Sequence, residues 1–137
     1  MPYSNCTIDQ GGFGTYQSDT ATAATLTLYQ RVKFSTTADT NGAKPTLLVA
    51  QAADRGVAVV MQQNVLAGAF TTVRFLNAQG EQFGIIDSAG VAVGTAIYTA
   101  ASGTYSATQG SGVLIGYSTI AASGYGVFTF LPINAAA

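Results

Sequence analysis

Few side chains in this sequence could do acid–base or nucleophilic chemistry. The chain contains no histidine and a single cysteine, Cys6, which excludes the usual general base, an internal disulfide and a multi-thiolate metal site. No serine lies in a motif that would activate it, and Cys6 has no nearby base. The six carboxylates are scattered over separate predicted loops, at Asp9, Asp19, Asp39, Asp54, Glu81 and Asp87. We therefore expect neither an enzyme nor a cofactor.

Two short segments resemble ligand-binding loops but are incomplete. Residues 11–14 read Gly-Gly-Phe-Gly, without the Lys-Ser/Thr pair that follows in a phosphate loop. Asp39, Asn41 and Gly42 supply part of a calcium loop, without its bidentate glutamate. The first is better interpreted as a flexible arm and the second as a turn, so we expect no metal site.

The composition points to a protein that other molecules cover. Charged residues make up 8% of the 137 residues and the net charge is −1, whereas an ordinary soluble domain is about one-quarter charged. Ala, Thr, Gly and Ser account for 66 residues, and such a surface has few long side chains to immobilise on binding. The sequence has no basic footprint for nucleic acid and no apolar run of the roughly 18 residues that a membrane span needs. The first residues lack a signal-peptide pattern, so classical secretion is not expected.

The hydrophobic pattern predicts an all-β fold. From Thr25 the residues alternate, with Leu26, Leu28, Gln30, Val32 and Phe34 on one face and Thr27, Tyr29, Arg31 and Lys33 on the other. Further strand-like runs cover residues 47–49, 57–61, 70–76, 81–86, 93–99, 103–106, 113–117 and 125–131. They predict one small domain over residues 24–134, a β-barrel or a β-tulip-like sandwich, with a short tail at 135–137. A short helix could form over residues 20–29 or 50–53.

Residues 1–23 have no sustained periodicity and predict an extended arm outside the core. Its aromatic residues could anchor a partner, and basic residues on the outward faces of strands could form ion pairs across an interface. For any one of those basic residues, a solvated position is the simpler alternative. The candidate partner-contacting residues are Tyr3, Phe13, Tyr16, Arg31, Lys33 and Arg74.

Two parts of the chain resemble each other. Residues 68–76 and 123–131 both end in an aromatic-leucine strand, and each follows a Gly-Val pair, at Gly56 and at Gly112. This spacing predicts two related β-modules, with chance similarity between glycine-rich strands as the alternative.

Three stretches of the second half carry a family resemblance. Residues 93–105, 112–118 and 121–132 resemble the closing half of small tailed-bacteriophage head decoration, or cement, proteins. In that family a Gly-small-apolar-Tyr strand leads into a glycine turn, an Ile-Gly strand follows, and a Val…Phe-Leu strand closes the barrel. The similarity extends over residues 55–132, and the arm matches no pattern of the family.

The resemblance implies a structural virion protein, made in the host cytoplasm and located on the outer capsid surface. Members of the family are often homotrimers that bind neighbouring major capsid proteins and stabilise the mature head, without a nucleic-acid or membrane partner. A phage tail or head-fibre subunit is the alternative role. A non-viral adhesin-like β subunit fits the sequence less well.

Overall fold

The computed structural model describes residues 12–20 and 25–133 of the chain. Its strands are β1 Phe13–Gln17, β2 Arg31–Ala38, β3 Pro45–Val49, β4 Ala58–Val60, β5 Phe70–Phe75, β6 Gln82–Ile85, β7 Ala96–Thr99, β8 Tyr105–Ser106, β9 Leu114–Ser118 and β10 Val127–Pro132. A 3-10 turn, Ala101–Gly103, is the one helical element within these ranges. No helix forms over residues 25–29 or 50–53, where the sequence allows a short one. In the described part of the chain, no helix has the length and hydropathy of a membrane span.

The strands form two antiparallel five-stranded sheets, which confirms the all-β prediction. The first sheet has the order β1-β5-β4-β2-β3, and the second has the order β6-β10-β9-β7-β8. In each sheet a single parallel bridge joins the last strand to the residue after the first strand, Ser18 to Leu47 and Ile86 to Tyr105. One bridge does not make a continuous ladder, so the chain is a two-sheet, sandwich-like structure and not one closed barrel.

The second sheet repeats the strand order of the first. Strands β6 to β10 occupy the positions that β1 to β5 hold in the first sheet. Each sheet also carries one isolated antiparallel bridge outside its strands, Leu26 with Val65 and Val91 with Ala122. We call strands β1–β5 the first module and strands β6–β10 the second module. This correspondence supports two related β-modules, but the equivalent bridge residues Val65 and Ala122 show that the predicted alignment of residues 68–76 with 123–131 is two residues out of register.

The same turn occurs twice in each module. The third residue after each of these bridge residues has a positive φ: 66° at Tyr29, 83° at Gly68, 72° at Gly94 and 59° at Tyr125. A strand begins two residues later in all four cases. The left-handed conformation favours glycine, since a Cβ is strained there. Two of the four positions nevertheless hold tyrosine.

Two hydrophobic clusters form the core. The first contains Tyr16, Leu26, Val32, Leu47, Ala58, Val60, Val65 and Val73. The second contains Val59, Leu76, Ile86, Ile97, Tyr105, Ile115, Phe128 and Phe130. Ala58 and Val60 of β4 belong to the first cluster and Val59 to the second, because successive side chains of a strand point to opposite faces. Strand β4 therefore lies between the two clusters.

The N-terminal part of the chain differs from the predicted arm. Residues 13–17 pair along the whole length of β5, and Tyr16 is a core residue. The arm prediction is wrong for this strand, because glycines in residues 11–14 hid its alternating pattern. The remainder of the predicted arm, residues 1–11 and 21–23, lies outside the described residues, as does the predicted tail at 135–137.

The first long strand also begins later than the alternation suggested. Tyr29 adopts the turn conformation, so β2 begins at Arg31. Arg31 and Val32 are then both buried, because β2 packs against a cluster on each face at this point. The predicted place of Arg31 on a polar surface is wrong.

Gly84 tests how tightly the second cluster is packed. A Cβ at this position would lie 2.6 Å from Cε2 of Tyr105 and 3.0 Å from Cε1 of Phe128. We expect Gly84→Ala to lower the free energy of unfolding by about 1–3 kcal/mol in urea titrations. Val93→Ile, which adds one carbon at an exposed turn, should change it by less than about 0.5 kcal/mol. A Gly84→Ala protein as stable as the wild type would contradict the close packing.

Candidate interaction surface

A buried arginine joins the two modules. The side chain of Arg31 has no solvent exposure, and its guanidinium donates to the backbone carbonyl oxygens of Asp54 and Gln51 in the β3–β4 loop. It also donates to those of Ala100 and Thr104 beside the 3-10 turn, at 2.8 and 3.4 Å. The first two acceptors belong to the first module and the last two to the second.

Backbone and side-chain hydrogen bonds extend this contact, which we call the seam. The N–H of Gly103 donates to the carbonyl of Ala50 at 2.8 Å, and the hydroxyl of Thr99 donates to the carbonyl of Ala52 at 2.6 Å. Gly103 has a φ of 74°, and a Cβ there would lie 2.7 Å from the carbonyl oxygen of Arg31. The two modules can therefore approach this closely only with glycine at position 103.

Burial in the seam shifts the pKa values of Arg31 and Tyr105 in opposite directions. Burial lowers the pKa of the Arg31 guanidinium, and the nearby Tyr105 and Asp54 partly oppose this shift. Burial raises the pKa of the Tyr105 phenol. The guanidinium carbon lies 5.4 Å from the centroid of the Tyr105 ring, which places the cation near a π face. The surroundings of the guanidinium thus combine carbonyl acceptors, an aromatic ring and the nearby Asp54 carboxylate.

Lys33 forms an ion pair within the chain. Its Nζ lies 2.9 Å from Oδ2 of Asp54, and the N–H of Gln51 donates to the same oxygen at 3.0 Å. These two hydrogen bonds, that of Gln51 first, lower the pKa of the Asp54 carboxyl. Lys33 was predicted as a partner-contacting residue, but its observed ion pair is internal.

The other predicted contact residues are divided between surface and core. Phe13 and Arg74 lie opposite each other on β1 and β5, with the guanidinium carbon 5.8 Å from the centroid of the exposed Phe13 ring. Arg74 also donates to the carbonyls of Glu81 and Gln79, at 2.6 and 2.7 Å. Tyr16 packs on Phe34 and Phe75 in the core. Tyr3 lies outside the described residues.

The structure adds an apolar surface that is not among the residues predicted from sequence. On β10, Phe128 and Phe130 point into the second cluster, so Val127, Thr129 and Leu131 point to the opposite side. Cross-strand pairing places further residues beside them on β6, β9 and β7. We call this surface the outer face of the second sheet; it comprises Phe83, Ile85, Ala96, Tyr98, Leu114, Tyr117, Val127, Thr129 and Leu131.

The outer face of the second sheet is exposed and uncharged. Val127, Leu131 and Tyr117 are 48%, 51% and 47% exposed, and strands β6 to β10 contain no charged residue. At its edge the Phe83 ring stacks on Tyr29, with centroids 4.7 Å apart. The run 127–131 could have indicated this surface, because a strand that is apolar on both sides is typical of a sheet covered on both faces.

The cleft beside the seam holds one titratable side chain. Within residues 12–20 and 25–133, no three His, Cys, Asp or Glu side chains come together as metal ligands. A cleft of about 290 Å³ lies beside the seam, lined by residues 99–101, 106 and 108–112 with Ala52 and Asp87. Asp87 is the single carboxylate among these lining residues, so the cleft lacks a second titratable group for acid–base work.

Comparison with known proteins gives a fold relationship. The chain matches no family profile and no curated protein sequence. Its structure is similar to the crystal structure of the N base of the head fiber protein gp8.5 from bacteriophage phi29, with a TM-score of 0.67. The alignment covers 88% of this chain and 92% of that chain at 17% sequence identity. The two chains share a fold.

Substitution of Arg31 tests the seam. Arg31→Met removes the donor for four part-buried backbone carbonyls, at a cost of up to roughly 1–3 kcal/mol for each group left unpaired. We expect a loss of most of the folding free energy in urea titrations, and Arg31→Lys should also be destabilised because an ammonium lacks the planar fork. The control Arg74→Met loses two carbonyl contacts within one exposed turn and should cost no more than about 1 kcal/mol. Equal losses at positions 31 and 74 would contradict a special role for the seam.

Asp54 makes folding stability depend on pH. Its pKa is lowered in the folded chain, so the carboxylate contributes stability above its ordinary pKa near 3.8, and this is lost as the pH falls through the folded value. Asp54→Asn should be less stable than the wild type at neutral pH and approach it in acid. Lys33→Met keeps the Gln51 hydrogen bond and should retain part of the pH dependence. A wild-type to Asp54→Asn difference that is constant with pH would contradict this account.

Proposed function

We propose that this protein is a structural component of a tailed-phage head, bound to the outer surface of the capsid. The observation that carries the proposal is the fold relationship to a phage head fiber base over nearly the full length of both chains. The second-half motifs that resemble head decoration proteins support the same location. Low charge and an uncovered apolar sheet face suit a protein whose surface is buried by partners.

The proposed mechanism is binding, without enzymatic activity or a cofactor. The partner is the major capsid protein, and self-association as a homotrimer would present three capsid contacts together. Linked contacts raise the overall avidity well above that of one contact. In the cement role, this avidity holds neighbouring capsid subunits together in the mature head.

A head-fibre base is the second candidate function. The structural neighbour is itself the N base of a head fiber, and this observation favours attachment of a fibre as much as cementing of the shell. The two roles share the location and differ in their effect on the capsid. A cement protein should stabilise the capsid shell, whereas a fibre base needs only to bind the shell.

Sedimentation with capsids tests the proposal. Mature capsids from a phage that lacks this gene should bind the purified protein until a fixed number of sites is filled. For a cement, the shell should disrupt at a higher temperature once the sites are filled; for a fibre base, that temperature should not change. Isolated tails of the same phage serve as the control surface. Binding to tails instead of capsids, or to neither, would contradict the proposal.

A further inference from the structure

The turn between β2 and β3 carries an asparagine-glycine pair, Asn41-Gly42, in the segment that resembles part of a calcium loop. Asp39 is buried at the start of this turn. Its Oδ1 accepts the N–H groups of Asn41 and Ala43, at 3.0 and 3.1 Å, and its own N–H donates to the carbonyl of Lys44 at 2.8 Å. The carboxylate that a calcium ion would use is thus engaged by backbone N–H groups.

Asn41 and Gly42 are both exposed on this turn. Gly42 has a φ of 67°, and a Cβ built there would meet no atom within 4 Å. Within the described part of the chain, no hydrogen bond holds the side-chain amide of Asn41, so this amide can turn towards the glycine. The N–H of Gly42 donates to the carbonyl of Asp39 at 2.9 Å. That bond must open before the nitrogen can react, and opening costs little in an exposed turn.

We infer that Asn41 is a site of spontaneous deamidation, which converts its side chain from an amide to an acid. The backbone nitrogen of Gly42 loses its proton to solvent base and attacks Cγ of Asn41, and glycine has no Cβ to obstruct this approach. The bond from Cγ to the amide nitrogen breaks, ammonia leaves with a proton from solvent, and a five-membered cyclic imide remains. Water then opens the ring, at Cγ to give aspartate or at the backbone carbonyl to give isoaspartate. Neither step changes an oxidation state, and water is the one co-reactant.

The other asparagines within residues 12–20 and 25–133, Asn64 and Asn77, lack this combination. Asn64 is exposed, but the next residue is the β-branched Val65, whose side chain hinders attack. Val65 is 5% exposed, and its N–H donates to the carbonyl of Leu26 at 2.8 Å, so this nitrogen is released only if the first cluster opens. Asn77 is followed by an alanine, whose Cβ also obstructs the approach. Asn41 should therefore react first.

Deamidation places a new carboxylate beside that of Asp39, in a chain whose net charge is −1. In isoaspartate the main chain runs through the former side-chain carbon, which moves the N–H of Ala43 relative to the Asp39 carboxylate. The charge and the geometry of the β2–β3 turn therefore change with the age of the molecule. This change goes beyond the proposed function and does not require attachment to a capsid.

The test incubates the full chain in mildly alkaline buffer and follows its tryptic fragments by mass spectrometry. Fragment 34–55 contains Asn41 as its single asparagine, and fragment 56–74 contains Asn64. The first fragment should gain the mass that separates an acid from an amide at least about tenfold faster than the second, because a glycine follows Asn41 and a β-branched residue follows Asn64. Fragment ions should locate the change at position 41 and show isoaspartate and aspartate together.

The matched control is Asn41→Gln, which adds one methylene at an exposed position and should keep the fold. Its fragment 34–55 should stay unmodified over the same period, because the longer side chain closes a ring much more slowly. Unfolding of the wild type in urea should speed the reaction at Asn64 by a larger factor than at Asn41, since the fold holds the N–H of Val65 more tightly. An unmodified wild-type fragment 34–55, equal rates in the two fragments, an acidic product that persists in Asn41→Gln, or a larger urea effect at Asn41 would overturn the inference.

Discussion

The guanidinium of Arg31 has to find acceptors inside the protein, because it is cut off from water. Its acceptors are backbone carbonyls of two loops in different modules, so the placement of one module on the other is set by hydrogen-bond lengths and not by apolar packing alone. The surrounding backbone comes close enough that a Cβ at Gly56 would lie 2.8 Å from Cγ of Arg31. The Arg31 side chain therefore packs as one unit with its carbonyl acceptors, Gly56, Gly103 and the Tyr105 ring, and each of these contacts depends on the others. A substitution in the seam would therefore either expose the Arg31 guanidinium or leave it buried without acceptors.

The repeated strand order carries different chemistry in the two modules. Arg31, Lys33 and Arg74 lie on strands of the first sheet, whereas the strands of the second sheet have no charged residue. In the first sheet, the terminal N–H groups of Arg31 and Arg74 donate to carbonyls of the same chain. The second sheet places apolar side chains at the matching positions, where no internal acceptor is required. The arginines on the first sheet thus find contacts within the chain, whereas the outer face of the second sheet is suited to contact with another molecule.

Much of the β architecture follows from sequence because strand runs and turn residues alternate at short intervals. The strands near residues 70–76 and 125–131 are examples. The repeat that links them is also present, but Gly68 corresponds to Tyr125 and not to Ser123 as its predicted alignment had it. Arg31 was misplaced because alternation reports one buried face, while β2 is buried on both faces at that point. The left-handed turn at Tyr29 could not be predicted from the residue type, since tyrosine rarely adopts this conformation. The exposure of the outer face of the second sheet depends on how the two sheets pack against each other. A local sequence pattern does not contain that information.

The acceptors of Arg31 in the second module lie 69 and 73 residues further along the chain. During synthesis the first module is complete at Phe75, well before Ala100 and Thr104 leave the ribosome. The guanidinium must then remain hydrated on an outward face of a half-finished protein, next to Val59. Docking of the second module removes that water in the same step that covers the valine. The two halves can therefore begin folding in order of synthesis, but the final structure is reached only when both are present.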